Sequence, residues 1–210
     1  MSNIPVYYLI VLAVLIAASI LSKYFFLKFY SILKLLPMAV IIFLPIYTDT
    51  QLISLYGVFV LSGLLFSLAG DFLLLWPDKY FRAGLISFLI AHVFYSCSFY
   101  IVSITLRYEA FVLYALYAYL IYKYLKSSLD KLKIPVIIYI TVISVMGALG
   151  MNQFASSSFE FSFQIFAGSL LFIISDTVLA INKFKKPFKS AELIILSTYY
   201  FAQLFFAASV

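Results

Sequence analysis

The sequence predicts an all-α polytopic membrane protein: one transmembrane domain over residues 1–210, eight spanning helices, both termini extracytoplasmic. Three observations predict it. The chain is 66% hydrophobic and only 10% charged, with a mean hydropathy of +1.13, whereas soluble domains carry about 25% charged residues. Apolar runs of the length that crosses a bilayer, about 17 to 25 residues, recur eight times. The basic residues fall almost entirely on alternate loops.

The first span, Pro5 to Leu21, is preceded by no basic segment, so it reads as a retained helix rather than a cleaved leader. The second, Phe29 to Tyr47, contains Pro37 and Pro45 and is expected to kink. The third runs from Gln51 to Leu75; after a turn at Pro77 the fourth runs from Arg82 to Leu106. The fifth is Glu109 to Leu125, and the sixth, Ile134 to Met151, has Pro135 in its first turn. The seventh is Phe159 to Asn182; Pro187 marks the turn into the eighth, Glu192 to Val210.

Of the fourteen basic residues, thirteen lie toward the odd-numbered loops, from Lys23 in the first to Lys189 in the last, and only Arg107 lies on the other side. The positive-inside bias makes those four loops cytoplasmic. It also accounts for the net charge of +6 without a nucleic-acid partner, and suits the anionic headgroups of membrane lipids. A faint internal repeat accompanies this layout. LLFSLAGD in the third span resembles LLFIISD in the seventh, as a parallel repeat of four helices plus four would produce.

Cys97 is the single cysteine and His92 the single histidine. Disulfide frameworks, cysteine-based zinc or haem sites and multi-histidine metal sites are thereby excluded, and neither metal nor cofactor is expected.

A charge in the middle of a bilayer costs about 3 kcal/mol or more, yet Asp71 and Asp176 interrupt otherwise apolar spans. At about 1.5 Å rise per residue they lie about 6 and 9 Å inside the cytoplasmic ends of their helices, at one level. Gly63, Ser67, Gly70 and Asp71 form one small and polar stripe; Gln164, Gly168, Phe172, Ser175 and Asp176 form another. Such stripes face other helices. Their blander reading is packing alone, with each aspartate bonded to a hydroxyl. Further polar residues point to the same half of the membrane: Lys34, His92, Tyr95, Ser175, Asn182, Tyr199, Tyr200 and Gln203. Lys34 also reads as a snorkelling lysine, His92 as a satisfied core histidine, and Asn182 as a helix cap. Together they outline a polar cavity with hydrocarbon walls, suited to an amphiphile.

The stretch LAGDFLLLWPDKYFRAGLISFLIAHVFY, with its Gly-Asp and Ala-His pairs, resembles the first signature of the YhhN-type lysoplasmalogenases. GSLLFIISDTVLAINKF followed by TYYFAQLFF resembles the second. Lys34 with Pro37 is similar to a lysine-proline element of the family, although Leu35 and Leu36 intervene. The resemblance runs through nearly the whole chain. It implies an eight-helix hydrolase of a bacterial inner membrane or eukaryotic endomembrane, acting on a lysophospholipid. The bond cleaved is the vinyl ether of a lysoplasmalogen, and the products are a fatty aldehyde and a glycerophospho-ethanolamine or -choline.

That chemistry needs two acid groups. Protonating the β-carbon of a vinyl ether gives an oxocarbenium ion, which water captures as a hemiacetal that collapses to aldehyde and alcohol. One carboxyl donates the proton; a second, ionised, stabilises the cation or activates water, as the paired carboxylates of glycosidases do. The expectation is that Asp71 and Asp176 form this pair, that His92, Tyr199, Tyr200 and Gln203 position water or the glycerol hydroxyl, and that Lys34 meets the phosphate. Two other readings compete. A proton-coupled transporter also uses intramembrane aspartates, but a broken helix is expected at its site and the third and seventh spans contain no proline. A metal-dependent membrane amidase or esterase needs more imidazoles than one.

Overall fold

A computed structural model describes residues 4–48, 53–103, 106–155 and 158–210. Among them run eight long helices: α1 (Val6–Phe25), α2 (Leu27–Thr48), α3 (Leu55–Leu73), α4 (Pro77–Ile101), α5 (Tyr108–Leu125), α6 (Lys133–Asn152), α7 (Phe159–Phe184) and α8 (Ala191–Ala208). Two 3₁₀ turns, Lys126–Ser128 and Asp130–Leu132, link α5 to α6, and a third, Gln153–Ala155, follows α6. No strand occurs among the described residues.

Each expected span coincides with a helix, and the differences lie at the ends. Residues 51, 52, 104 and 105, where the third span was expected to begin and the fourth to end, lie outside the described residues. The loop expected between the first two spans shrinks to Phe26 alone. Helix α4 begins at Pro77, earlier than expected, because proline suits the first helical position and Asp78 complements the positive end of the helix. Helix α2 runs on through Pro37 and Pro45.

Eight spans were expected, and length and hydropathy bear out seven of them among the described residues. Seven helices are long and apolar enough to cross a membrane, and α5 is not among them. Tyr108, Tyr114, Tyr117, Tyr119, Tyr122 and Tyr124, with Glu109 and Lys123 near its ends, dilute its hydropathy. Seven such helices make this a multi-pass integral membrane protein.

The side chains are distributed as a lipid environment requires. Large apolar residues face outward, such as Val14 at 62% and Val112 at 69% exposure, while Ser19, Ser22, Ser67, Ser98, Ser169, His92 and Gln203 are fully buried. Several buried serines bond back to their own helices, as Ser98 Oγ does to the Tyr95 carbonyl and Ser169 Oγ to that of Ile165, which satisfies those hydroxyls in a medium without water; Ser67 and Ser144 make no such bond among the described residues.

Consecutive helices pair: α1 on α2, α3 on α4, α5 on α6 and α7 on α8. Between pairs, α2 packs on α3 and α8, and α6 packs on α7 and α4. Small residues permit these approaches. A Cβ on Gly63 would lie 2.4 Å from the Tyr95 ring, and one on Gly70 would lie 2.6 Å from the Phe88 ring. Alanine at either position would push α4 away from α3, and Gly70 adjoins Asp71.

Candidate active site

Six helices converge on two carboxyl groups, one buried and one part-buried. Helix α3 carries Asp71, 3% exposed. Its Oδ1 lies 3.4 Å from Lys34 Nζ on α2, and its Oδ2 accepts a 2.6 Å hydrogen bond from Tyr199 Oη on α8. Lys34 is itself buried. Its ammonium does not snorkel, because Asp71 neutralises it within the bundle. Its backbone carbonyl accepts a 2.7 Å bond from Tyr200 Oη, which also lies 3.1 Å from Ser19 Oγ. Pro37, one turn on, removes a backbone donor from this part of α2.

Helix α7 carries Asp176. Its Oδ2 accepts a hydrogen bond from Tyr139 Oη on α6 and lies 3.7 Å from His92 Nε2 on α4, too far for a direct bond. His92 is fully buried, with Tyr139 and Phe172 set edge-on to its ring, and neither ring nitrogen makes a hydrogen bond among the described residues. The two carboxyl groups thus differ in partners: an ammonium and a phenol for Asp71, a phenol and an imidazole for Asp176.

Both aspartates line one cavity of about 310 Å³. Of the residues expected there, Lys34, Ser175 and Tyr199 also line it. Five do not. Tyr200 braces the Lys34 backbone, and His92 stands behind Asp176. Tyr95 donates a 2.6 Å bond to Gln203 Oε1, deeper in the bundle, which satisfies the amide oxygen; its Nε2 makes no hydrogen bond among the described residues. Asn182 Oδ1 accepts from the Phe188 amide at 3.1 Å and closes the turn between α7 and α8. Ser175, though lining the cavity, donates to the Ile195 carbonyl at 3.0 Å.

Other residues at the site were not singled out in the sequence. Tyr139 is the most important. Glu192, which accepts a hydrogen bond from Tyr30, sits at the cavity with Lys23 and Lys183. Among the described residues, no three His, Cys, Asp or Glu side chains group as metal ligands.

The profile of the YhhN family matches residues 23–210. The chain belongs to the YhhN family. The resemblance read from its Gly-Asp, Ala-His and Tyr-Tyr motifs is therefore borne out. This YhhN-family chain is 37% identical to lysoplasmalogenase TMEM86A of Homo sapiens over 159 residues, 71% of the chain and 64% of that relative. It is 32% identical to TMEM86A of Bos taurus over 155 residues, with the same coverage of both. It is 30% identical to lysoplasmalogenase TMEM86B of Sus scrofa over 156 residues, 74% of the chain and 64% of the relative. The chain thus spans less than two thirds of the length of these relatives. No solved structure matches it.

Proposed function

We propose that this protein hydrolyses the vinyl ether bond of lysoplasmalogens, giving a fatty aldehyde and a glycerophospho-ethanolamine or -choline. The observation that carries the reading is the presence on one cavity of two carboxyl groups, one buried and one part-buried, with unlike partners. The names of the relatives support the substrate class.

Asp176 takes the part of proton donor. Tyr139 occupies its Oδ2, leaving Oδ1 to carry the proton to the β-carbon of the vinyl ether. The π-electrons form the new C–H bond, and the positive charge moves to the α-carbon and ether oxygen. Asp71, held as a carboxylate beside the Lys34 ammonium, faces that charge and accepts a proton from the water that adds to the α-carbon. The hemiacetal then collapses: its hydroxyl proton passes to Asp176 as the C=O bond forms, the C–O bond to glycerol breaks, the glycerol oxygen takes the proton held by Asp71, and the aldehyde leaves with both acids restored. General acid catalysis contributes about 10² to 10⁴ in rate, and fixed dipoles at the developing charge contribute further. Lys34, committed to Asp71, serves the carboxylate rather than the phosphate.

The same reading keeps α5 as an eighth span, which places Lys126 to Lys133 on the side of the other basic loops. The helix pairings support a repeat of four helices plus four: α2 on α3 and α8 mirrors α6 on α7 and α4. Tyr139 lies as far along the chain from Lys34 as Asp176 does from Asp71, so the two acid sites are related halves with different partners.

The test is aldehyde release from a lysoplasmalogen by detergent-purified protein. Asp71→Asn and Asp176→Asn should each lower turnover by about 10² or more. Near-normal turnover in both variants would overturn the pair, and substrate uptake into liposomes without aldehyde would favour a transporter.

A further inference from the structure

A second void adjoins the acid cavity and differs from it in character. It is an apolar crevice between α4, α5, α6 and α7, about 40 Å³ as it stands, walled by Ile121, Val136, Ile140, Ile143, Ala180 and Phe184 among others. It follows a seam in the packing. Ile143, Tyr117 and Tyr139 on one wall belong to the main apolar core, whereas Ile121, Val136, Ile140, Ala180 and Phe184 belong to a separate cluster at the α5–α6–α7 end. Two apolar clusters that pack separately can part without breaking either one, so the crevice can widen around a chain.

Phe81, Leu179, Lys183 and Asp176 line both the crevice and the acid cavity. Asp176 is the only carboxyl group at this junction. Beyond it the larger cavity has apolar walls but carries charge, Lys23 and Lys183 offering positive charge and Glu192 negative charge.

We infer that the crevice is the binding site for the hydrocarbon tail of the substrate, with the headgroup among the charged residues of the larger cavity; this rests on the lysoplasmalogenase reading. In a vinyl ether lipid the β-carbon is the root of the tail, and the α-carbon and oxygen lie toward glycerol. A tail in the crevice therefore sets its β-carbon at Asp176, the proposed proton donor. The oxocarbenium carbon then falls on the side of Asp71. The charges at the far end match a zwitterion: lysines for the phosphate, Glu192 for the amine. Burying a methylene is worth roughly fourfold in binding, so affinity should climb with tail length until the crevice is filled.

The test compares short-tailed and long-tailed lysoplasmalogens on the purified full-length protein. Ile140→Trp and Ala180→Phe fill the crevice; Val14→Trp, on the outer face of α1, is the control. The crevice variants should lose about tenfold or more in kcat/KM for the long tail, the scale on which apolar pockets discriminate by size, and little for the short one. The control should follow the wild type. A second arm needs no turnover and no folded variant. A non-hydrolysable alkyl-ether lysophospholipid with a diazirine at its tail end is photolysed with wild-type protein and the labelled peptides are sequenced. Label on α5 and α6 supports the inference; label confined to α1–α3, or unchanged tail-length dependence in both crevice variants, overturns it. Absence of aldehyde from the wild type would count against the activity alone, since the crosslink still reports where the tail lies.

Discussion

Lys34 and Asp71 form an ion pair with both side chains less than a tenth exposed. Removing one member of a buried pair is costlier than the pair is valuable, because the remaining charge has no water to turn to. Lys34→Met should therefore destabilise the protein by about 3 kcal/mol or more, seen as a lower thermal unfolding temperature in detergent. Adding Asp71→Asn to that background should recover part of the loss. Tyr139 acts on Asp176 through one hydrogen bond. Tyr139→Phe leaves packing nearly unchanged and frees the carboxyl to rotate. Turnover should fall about tenfold, the worth of one such bond to a charged or reacting group, with KM little altered. A rise in KM with unchanged kcat would assign Tyr139 to substrate binding instead.

At the scale of helices, the approach of α3 to α4 rests on glycine. Gly63→Ala sets a methyl group against the Tyr95 ring, and Tyr95 can yield only by leaving Gln203. Overpacking of this kind costs about 1–3 kcal/mol, and unfolding temperature should report it. Seven of the spans were legible from hydropathy because a bilayer sets a minimum apolar length for a crossing helix. The aspartates were legible because a carboxyl in such a helix is anomalous. Tyr139 was not: with eighteen tyrosines in the chain, one more on α6 carries no signal until the fold sets it beside Asp176. Asn182 shows the reverse, an amide near the right depth that the turn before α8 claims for itself. Lys34 was found but given to phosphate, since a sequence cannot show that an aspartate from another helix already holds it.

At the scale of the whole molecule, apolar side chains fill most of the interior and also face outward, while the buried polar groups sit between helices, so the acid chamber is assembled only where helices meet. Helix α5 is the one whose crossing hydropathy leaves open, and its tyrosines give it the look of an interfacial segment. If α5 crosses, single cysteines placed in the loop containing Trp76, before α4, and in that containing Lys126, after α5, should react with an impermeant thiol reagent from the same side. Reaction from opposite sides would leave seven crossings.

Helix α8 supplies Tyr199 to Asp71 and Tyr200 to the backbone of Lys34, both in helices translated long before it. During synthesis the Lys34–Asp71 pair must wait in the membrane, incompletely satisfied, until this late segment leaves the ribosome and inserts. A ribosome that stalls before α8 would release a chain with an exposed intramembrane polar patch, a feature by which quality-control proteases can distinguish unfinished product from finished protein.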